Sequence, residues 1–565
     1  MEVGARSKDK VLSRREIEAL IANGRSIVIV DNRVLKVDAW LPYHPGGDKT
    51  IQHMIGRDAS DEVHRFHSVE TLELAKRYQI GRVEGIWVNF TPPIQGGKFR
   101  KEEELDLISE ENDTISSSEQ DASSTGTSAD PSPIFEPADQ FTSSIRQRSS
   151  AGIPRISSTS SISSVSLDET RAAPKMTVLD ARTQREIDVD TAKYPSLDPQ
   201  TQANIVQKYN KLEDRIQEEG LYQCRYSSYG IECIRYAFFF SMFIYLLRSE
   251  WYLSSAAFLG ILWHQLSFTV HDAAHMGITH DFQTDSIIAM LIANFCGGLS
   301  ASWWKYNHNV HHLVTNSPEH DPDIEHLPFF AISHRFFENL FSSYYDRVLE
   351  YDLFAKFMIR YQDTLYYLIM CFGRFNLYRL GWTYLFLGQG PRKGPAWWHR
   401  YFEIVGQFFF WTWYGYGVVY KCVPGGWNRF LFVMISHVIT MPLHVQITLS
   451  HFAMSTADLG TAESFPQKML RTTMDVNCPQ WLDFFHGGLQ FQAIHHLFPR
   501  IPRHNLRRTQ KLVQEFCNEV DIPYATYGFV EGNQVVISKL TDISRQAAIL
   551  SACQRTIANG DMGMH

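Results

Sequence analysis

Long apolar blocks alternate with polar stretches along the second half of this chain of 565 residues. Residues 232–247 and 251–270 are two such blocks, separated only by Arg248, Ser249 and Glu250. The second has the ~20 residues a bilayer-crossing helix needs. The first is shorter and carries Arg235, so it crosses only if its charged ends snorkel. Together they predict a membrane hairpin. Residues 402–420 and 430–449, joined through Pro424, Gly425 and Gly426, predict a second. Two weaker blocks, 286–302 and 365–387 (the latter broken by Arg374 and Arg379), read as interfacial or re-entrant segments.

The first part of the chain has a finer pattern. Ser13 and Glu16 form a capping-box sequence ahead of a helix. Apolar runs at 26–30 and 34–37 flank Asp31, Asn32 and Arg33, which reads as a hairpin. Helical periodicity follows over 49–76. Between 96 and 195 the composition shifts to Ser, Thr, Asp and Pro, with few large apolar residues, which predicts a disordered linker. Residues 198–219 read as a polar helix on the surface of the membrane domain. The expected architecture is therefore a small α+β unit at 8–90, a Ser-rich linker at 96–195, and an all-α membrane domain at 196–528. That domain would have four transmembrane helices and a helical cap, with a C-terminal tail at 529–565.

Composition changes this picture little. There are 37 Phe, 25 Tyr and 13 Trp, yet mean hydropathy is only −0.22, as expected when membrane blocks are averaged with polar segments. The net charge of −8 is mild and no Lys/Arg run points to nucleic acid. The first residues lack the apolar core of a cleaved signal. The 8 cysteines form no CxxC pair, which argues against a disulfide framework and for a cytosolic N-terminal part.

Histidine supplies the candidate chemistry. His271 and His275, then His308, His311 and His312, then Gln492, His495 and His496, stand at helical spacing beside apolar blocks, so each group shares a helix face. Imidazole is the commonest side-chain ligand for iron, zinc and copper, and such grouping predicts a metal centre. If the N-terminal unit is cytosolic, four spans return all three clusters to its side. His437, His444 and His451 recur along one face of the last span. His451, at the cluster end, is an additional candidate ligand, whereas His437 and His444 read as packing or tunnel-lining residues. His486 is a weaker candidate, and His264, His280 and His320 read as structural. Asp272 and Asn309 could orient ligand imidazoles. Asp321 and Asp323 could do the same or cap a helix. Gln492 either offers its amide oxygen to metal or hydrogen-bonds a ligand ring.

A second histidine pattern lies near the N-terminus. His44, Pro45, Gly46 and Gly47 make a tight turn, preceded by Trp40 to Tyr43 and followed by Gly56 to Asp61 and by His67 and Ser68. This segment, about 8–88, resembles the cytochrome b5 family. The resemblance implies that His44 and His67 clamp haem b from opposite faces, with His64 as the rival for the second position. Residues 230–520 resemble the membrane fatty-acyl desaturases and hydroxylases. With the haem unit fused and Gln492 opening the third box, they resemble the front-end group. Many acyl front-end enzymes carry Gln-Ile-Glu-His-His there, whereas this chain has Ala493 and Ile494 before its histidine pair. In this, and in the long Ser-rich insertion, it looks more like fungal sphingolipid Δ8-desaturases.

The resemblance implies two non-haem iron ions held by the box histidines with His451 and Gln492, and O2 as oxidant. It also implies electrons from NADH through a cytochrome b5 reductase, a ceramide substrate, and an endoplasmic-reticulum membrane with haem unit and boxes cytosolic. The tethered haem unit would act at an effective concentration set by the linker. Other readings are a front-end Δ5/Δ6 fatty-acyl desaturase, a lipid hydroxylase, and a non-enzymatic membrane haem carrier.

Overall fold

The computed structural model describes residues 8–99 and 177–558. The first stretch is the α+β unit expected from the pattern. Helix α1 (Arg14–Ala22) opens at the capping box, where Ser13 Oγ accepts from the Glu16 N–H and Glu16 takes the Ser13 N–H at 2.8 Å. Strands β1 (Ile27–Val30) and β2 (Arg33–Lys36) pair antiparallel. Asp31 and Asn32 hold φ of 50° and 59°, the left-handed pair that a two-residue hairpin turn demands. Three short helices, α2 (Asp48–Gln52), α3 (Ser60–Phe66) and α4 (Val69–Ala75), lead to β3 (Gln79–Arg82), which pairs antiparallel with β2.

Side chains alternate across the sheet. Ile27, Ile29 and Val34 face a core with Ile17 and Ile21. Val28, Val30 and Leu35 face the other way, into a cluster completed by Val310, Leu313 and Val314 of the membrane domain. The N-terminal unit is thus packed against that domain through a shared apolar core.

Of the stretch read as linker, 100–176 lies outside the described residues, but its end departs from expectation. Residues Val178–Lys193 form helix α5, opened by a capping box of Thr177 and Asp180. The cause is long-range. Asp190 pairs at 2.9 Å with the buried Arg471, and Thr183 meets His334 at 2.8 Å. Helix α6 (Pro199–Glu218) is more than a surface element: Ile205, Tyr209, Leu212 and Ile216 are buried, and the Tyr209 hydroxyl donates to the Leu497 carbonyl at 2.7 Å, beside the third histidine cluster.

The first membrane hairpin is α7 (Tyr226–Arg248) and α8 (Tyr252–Ala274). The block at 286–302 becomes a broken pair, in which α9 (Phe282–Met290), prolonged by a π-helical turn to Cys296, meets α10 (Ala301–Leu313) at 119°. Helices α11 (Leu353–Arg360), α12 (Gln362–Met370) and α13 (Gly373–Leu387) absorb the other weak block. Helix α14 (His399–Phe410) widens into a π-helical continuation, Trp411–Cys422, and α15 (Gly426–Val438) runs into α16 (Met441–Phe452). Among the described residues three helices are long and apolar enough to cross a membrane: Tyr226–Arg248, Tyr252–Ala274 and Gly426–Phe452. The helix expected at 402–420 is present as α14 and its continuation, but it is not one of those three.

The cap is completed by α17 (Phe465–Thr472), α18 (Gln492–Leu497), α19 (Leu506–Glu519) and α20 (Phe529–Ala558). The segment read as a tail is therefore helical up to Ala558. Val536, Leu540, Ile543 and Ala547 are buried, at the spacing of one helix face. That periodicity is present in the sequence and is the signal the tail reading overlooked.

Candidate metal centre and haem site

The three histidine clusters meet in one place. His271 lies at the end of α8 and His275 just beyond it; His308, His311 and His312 lie on α10, His451 at the end of α16, and His495 and His496 on α18. Ring nitrogens of His271, His275, His308 and His495 lie within 4.8 Å of one another, and those of His311, His451 and His496 form a second such group. The groups are adjoining. His312 Nε2 is 3.1 Å from His308 Nε2, and the His312 ring stacks on His496 at 4.1 Å between centroids. His311 and His451 face each other through Nε2 at 3.3 Å. Gln492 opens α18, buried, one turn ahead of His495 and His496.

Polar neighbours hold several rings in place. Both carboxylate oxygens of Asp321 accept from His311 Nδ1 at 2.9 Å, and its other bonds come from the Asn316 and Asp323 N–H groups, so it holds the ring within a turn and caps no helix among the described residues. Asp323 lies 3.5 Å from His308 Nδ1, and Thr315 Oγ1 meets His496 Nδ1 at 3.3 Å. Asp272 stands 3.8 Å from His271 Nδ1 and is itself fixed by Tyr229 and, at 2.7 Å, by Arg503. The buried Arg503 also pairs with Glu232. Asn309 points elsewhere than expected: its amide donates to the Gly46 carbonyl of the N-terminal unit at 3.5 Å.

The donor set, imidazoles in both groups, fits a pair of borderline cations such as ferrous iron. The Nε2 atoms of His271, His275, His495 and His496 are buried with no hydrogen-bond partner. Orphaned polar atoms at this density need a reason, and ligation satisfies all four. Burial, then neighbouring imidazoles, holds His275, His495 and His496 well below the ordinary histidine pKa, so their rings are neutral, the form that binds metal.

The N-terminal unit has its own opposed pair. His44 and His67 face one another with centroids 5.9 Å apart, leaving a slot for a flat macrocycle with one ring on each side. Each donates Nδ1–H to a backbone carbonyl, His44 to Gly47 at 2.8 Å and His67 to Val63 at 2.9 Å, which directs Nε2 into the slot. Burial lowers both, His67 to about 4 with His44 as the second cause. His64 turns away to Asp31 at 2.8 Å.

Residues 13–84 match the cytochrome b5-like heme/steroid binding domain and residues 249–528 match the fatty acid desaturase family. The chain is 59% identical over 556 residues to a Delta 8-(E)-sphingolipid desaturase of Emericella nidulans, covering 98% of each protein. It is 47% identical to the protein of the same name from Candida albicans, over 96% of this chain and 97% of the other. It is also 39% identical to Delta(8)-fatty-acid desaturase 1 of Arabidopsis thaliana, over 52% of this chain and 64% of that one. The chain belongs to the cytochrome b5-fused membrane desaturases.

The remaining histidines of the desaturase stand outside the two groups. His437 donates to the Val433 carbonyl at 2.8 Å and stacks on Phe375. His264 stacks on Phe485, and His486 packs against Phe529. His280 bonds the Tyr222 carbonyl at 2.7 Å. His320 lies against His53 and Ser343, where the haem domain meets the desaturase domain. Sequence reasoning missed Thr315, Arg503 and Glu232. Thr315 had a usable signal, since it stands one turn after His311 on the same face.

Proposed function

We propose that the protein introduces the Δ8 double bond into the sphingoid base of ceramide, with O2 as oxidant. Electrons pass from NADH through a cytochrome b5 reductase and the fused haem domain. The observation that carries the reaction type is the meeting of eight imidazoles in one centre, seven in the two close groups and His312 at 3.1 Å from His308, beside an opposed histidine pair. The substrate, and a trans geometry, follow the fungal relatives named Delta 8-(E)-sphingolipid desaturase.

Haem b would sit between His44 and His67. Two irons would be held by His271, His275, His308, His311, His312, His451, His495 and His496, with Gln492 as a weak neutral donor. When bound, the iron pair would supply an oxidant able to take hydrogen from a methylene that has no acidic proton, so the step calls for no separate acid or base from the protein. The protein's own part is to hold the rings through Asp321, Asp272 and Thr315, and to keep the centre dry. A cavity of about 750 Å³ opens beside α16, lined by Tyr367, Met441, Val445, Phe529, Asn533 and Ile537. Its lining mixes these apolar side chains with Asn533, Thr541, Asp542 and Arg545, which suits a lipid with a hydroxylated head.

Four spans are supported by the site itself. With only the three long apolar helices as crossings, His451 would end on the face opposite His311, yet their ring nitrogens are 3.3 Å apart. A crossing by α14 and its continuation to Cys422 restores the parity. The contact between haem domain and α10 supports having both domains on one side, which we assign to the cytosol at the endoplasmic reticulum. We take 8–90 as the haem domain and 178–558 as the desaturase.

The test is expression in a host whose own Δ8 activity has been deleted, followed by analysis of sphingoid bases. A diunsaturated base that depends on the protein supports the proposal. Altered acyl unsaturation with unchanged bases refutes it and favours a fatty-acyl substrate.

A further inference from the structure

The two cofactor sites are joined by one residue. Phe66, the last residue of α3, is bonded directly to His67, and its ring meets His312 edge-on with centroids 5.7 Å apart at 84°. His312 is fully buried and stacks on His496. Phe66 therefore touches a histidine of the metal centre with its ring and is joined to a histidine of the haem slot through its peptide bond.

The junction is held from both cofactor-binding sides. Arg500, just after the third cluster, donates from Nη1 to the His67 carbonyl at 2.8 Å. On α10, two residues ahead of His308, the Tyr306 hydroxyl donates to Asp48 at 2.9 Å. The Tyr306 ring lies so close to Gly47 that a Cβ there would come within 2.4 Å of it; with φ of +93°, only glycine suits this position. Lys49 Nζ adds a bond to the Ser343 carbonyl at 3.0 Å. The two segments that carry the haem histidines thus rest on the two segments that carry the second and third clusters.

We propose that Phe66 is the electron bridge from haem to the iron site and that Arg500 latches it in place, so that the haem domain works from a docked position and not as a tethered shuttle. The proposal rests on the cofactor reading above. One electron leaves the ferrous haem iron, which becomes ferric, and converts one ferric iron of the histidine centre to ferrous. No bond forms or breaks and no proton moves. The reductase then reloads the haem, and two such passes give the two electrons that O2 reduction needs beyond those from the substrate. Electron transfer weakens steeply with the gap between donor and acceptor, and a filled aromatic contact keeps that gap short.

The test uses the full-length protein loaded with haem and iron, in detergent, without O2 or lipid substrate. Haem is reduced in a stopped-flow instrument, its reoxidation is followed by absorbance, and the iron redox state is read by electron paramagnetic resonance. Phe66→Leu is expected to keep the haem spectrum and the iron content but to lose the fast phase of haem reoxidation, while Phe66→Tyr retains it. Arg500→Leu is expected to lose the fast phase together with protection of residues 60–75 from hydrogen exchange. If Phe66→Leu disturbs haem or iron loading, Phe66→Met, of similar volume without a ring, takes its place. A wild-type fast phase in a loaded Phe66→Leu or Phe66→Met protein overturns the bridge. A wild-type protein that binds both cofactors yet passes no electron between them overturns the electron-transfer reading itself, and failure to bind iron overturns the cofactor assignment.

Discussion

Asp321 offers the sharpest quantitative test of the metal centre. Its buried carboxylate accepts from His311 Nδ1 on both oxygens at 2.9 Å, from the Asp323 N–H at 2.9 Å and from the Asn316 N–H at 2.7 Å. In Asp321→Asn one oxygen becomes an NH2 that must face one of those N–H donors, at a cost of ~1–3 kcal/mol for an unsatisfied buried group. The bond to His311 also falls from a charge-assisted one, ~1.5–3 kcal/mol, to a neutral one of ~0.5–1.5. That difference of ~1–1.5 kcal/mol is about a tenfold loss of iron affinity, at the low end of the ~10–100-fold typical when a partner of a metal-bound histidine is removed. The assay is dialysis of purified protein against graded iron chelator, with non-haem iron counted by mass spectrometry and haem absorbance as the internal standard. An unchanged chelator midpoint in Asp321→Asn would refute the claim that His311 is a ligand oriented by this carboxylate.

Other substitutions separate the two sites. His44→Ala is expected to abolish the bis-histidine haem spectrum and most product formation while leaving non-haem iron in place; full activity in cells lacking a separate cytochrome b5 would show the fused haem to be dispensable. Gln492→Ala should lower iron occupancy and activity together, whereas Gln492→His should keep iron; near-normal turnover of Gln492→Ala would leave the amide without a part in the centre. Arg503→Leu strands the buried carboxylates of Asp272 and Glu232, so a loss of ~3–5 kcal/mol should appear as a clear fall in Tm in detergent, and an unshifted Tm would count against the network.

Much of this arrangement is legible in the chain before any coordinates. Hydrophobic blocks locate α7, α8 and α15–α16, the Asp31–Asn32 turn announces its hairpin, and helical spacing groups the box histidines. His451 could be singled out because it ends the last apolar block on the cluster side. What local pattern does not carry is pairing at a distance. Helix α5 looks like linker until Asp190 is seen against Arg471, 281 positions away in sequence. Arg503 gives no sign of Glu232, and Phe66 reads as an ordinary core aromatic beside a haem histidine until α10 brings His312 against it. The packing of the haem domain on the membrane domain is hidden for the same reason: the face that makes it, Val28, Val30 and Leu35, looks like any strand's buried side.

The central claim is that this chain holds one haem between His44 and His67 and two irons among its clustered histidines. Total iron and haem counted per chain, on protein purified from iron-replete cells and active in forming its product, test it most directly. The account predicts one haem and two non-haem irons for each chain. Active protein with fewer than two non-haem irons, or with another metal in their place, would contradict it.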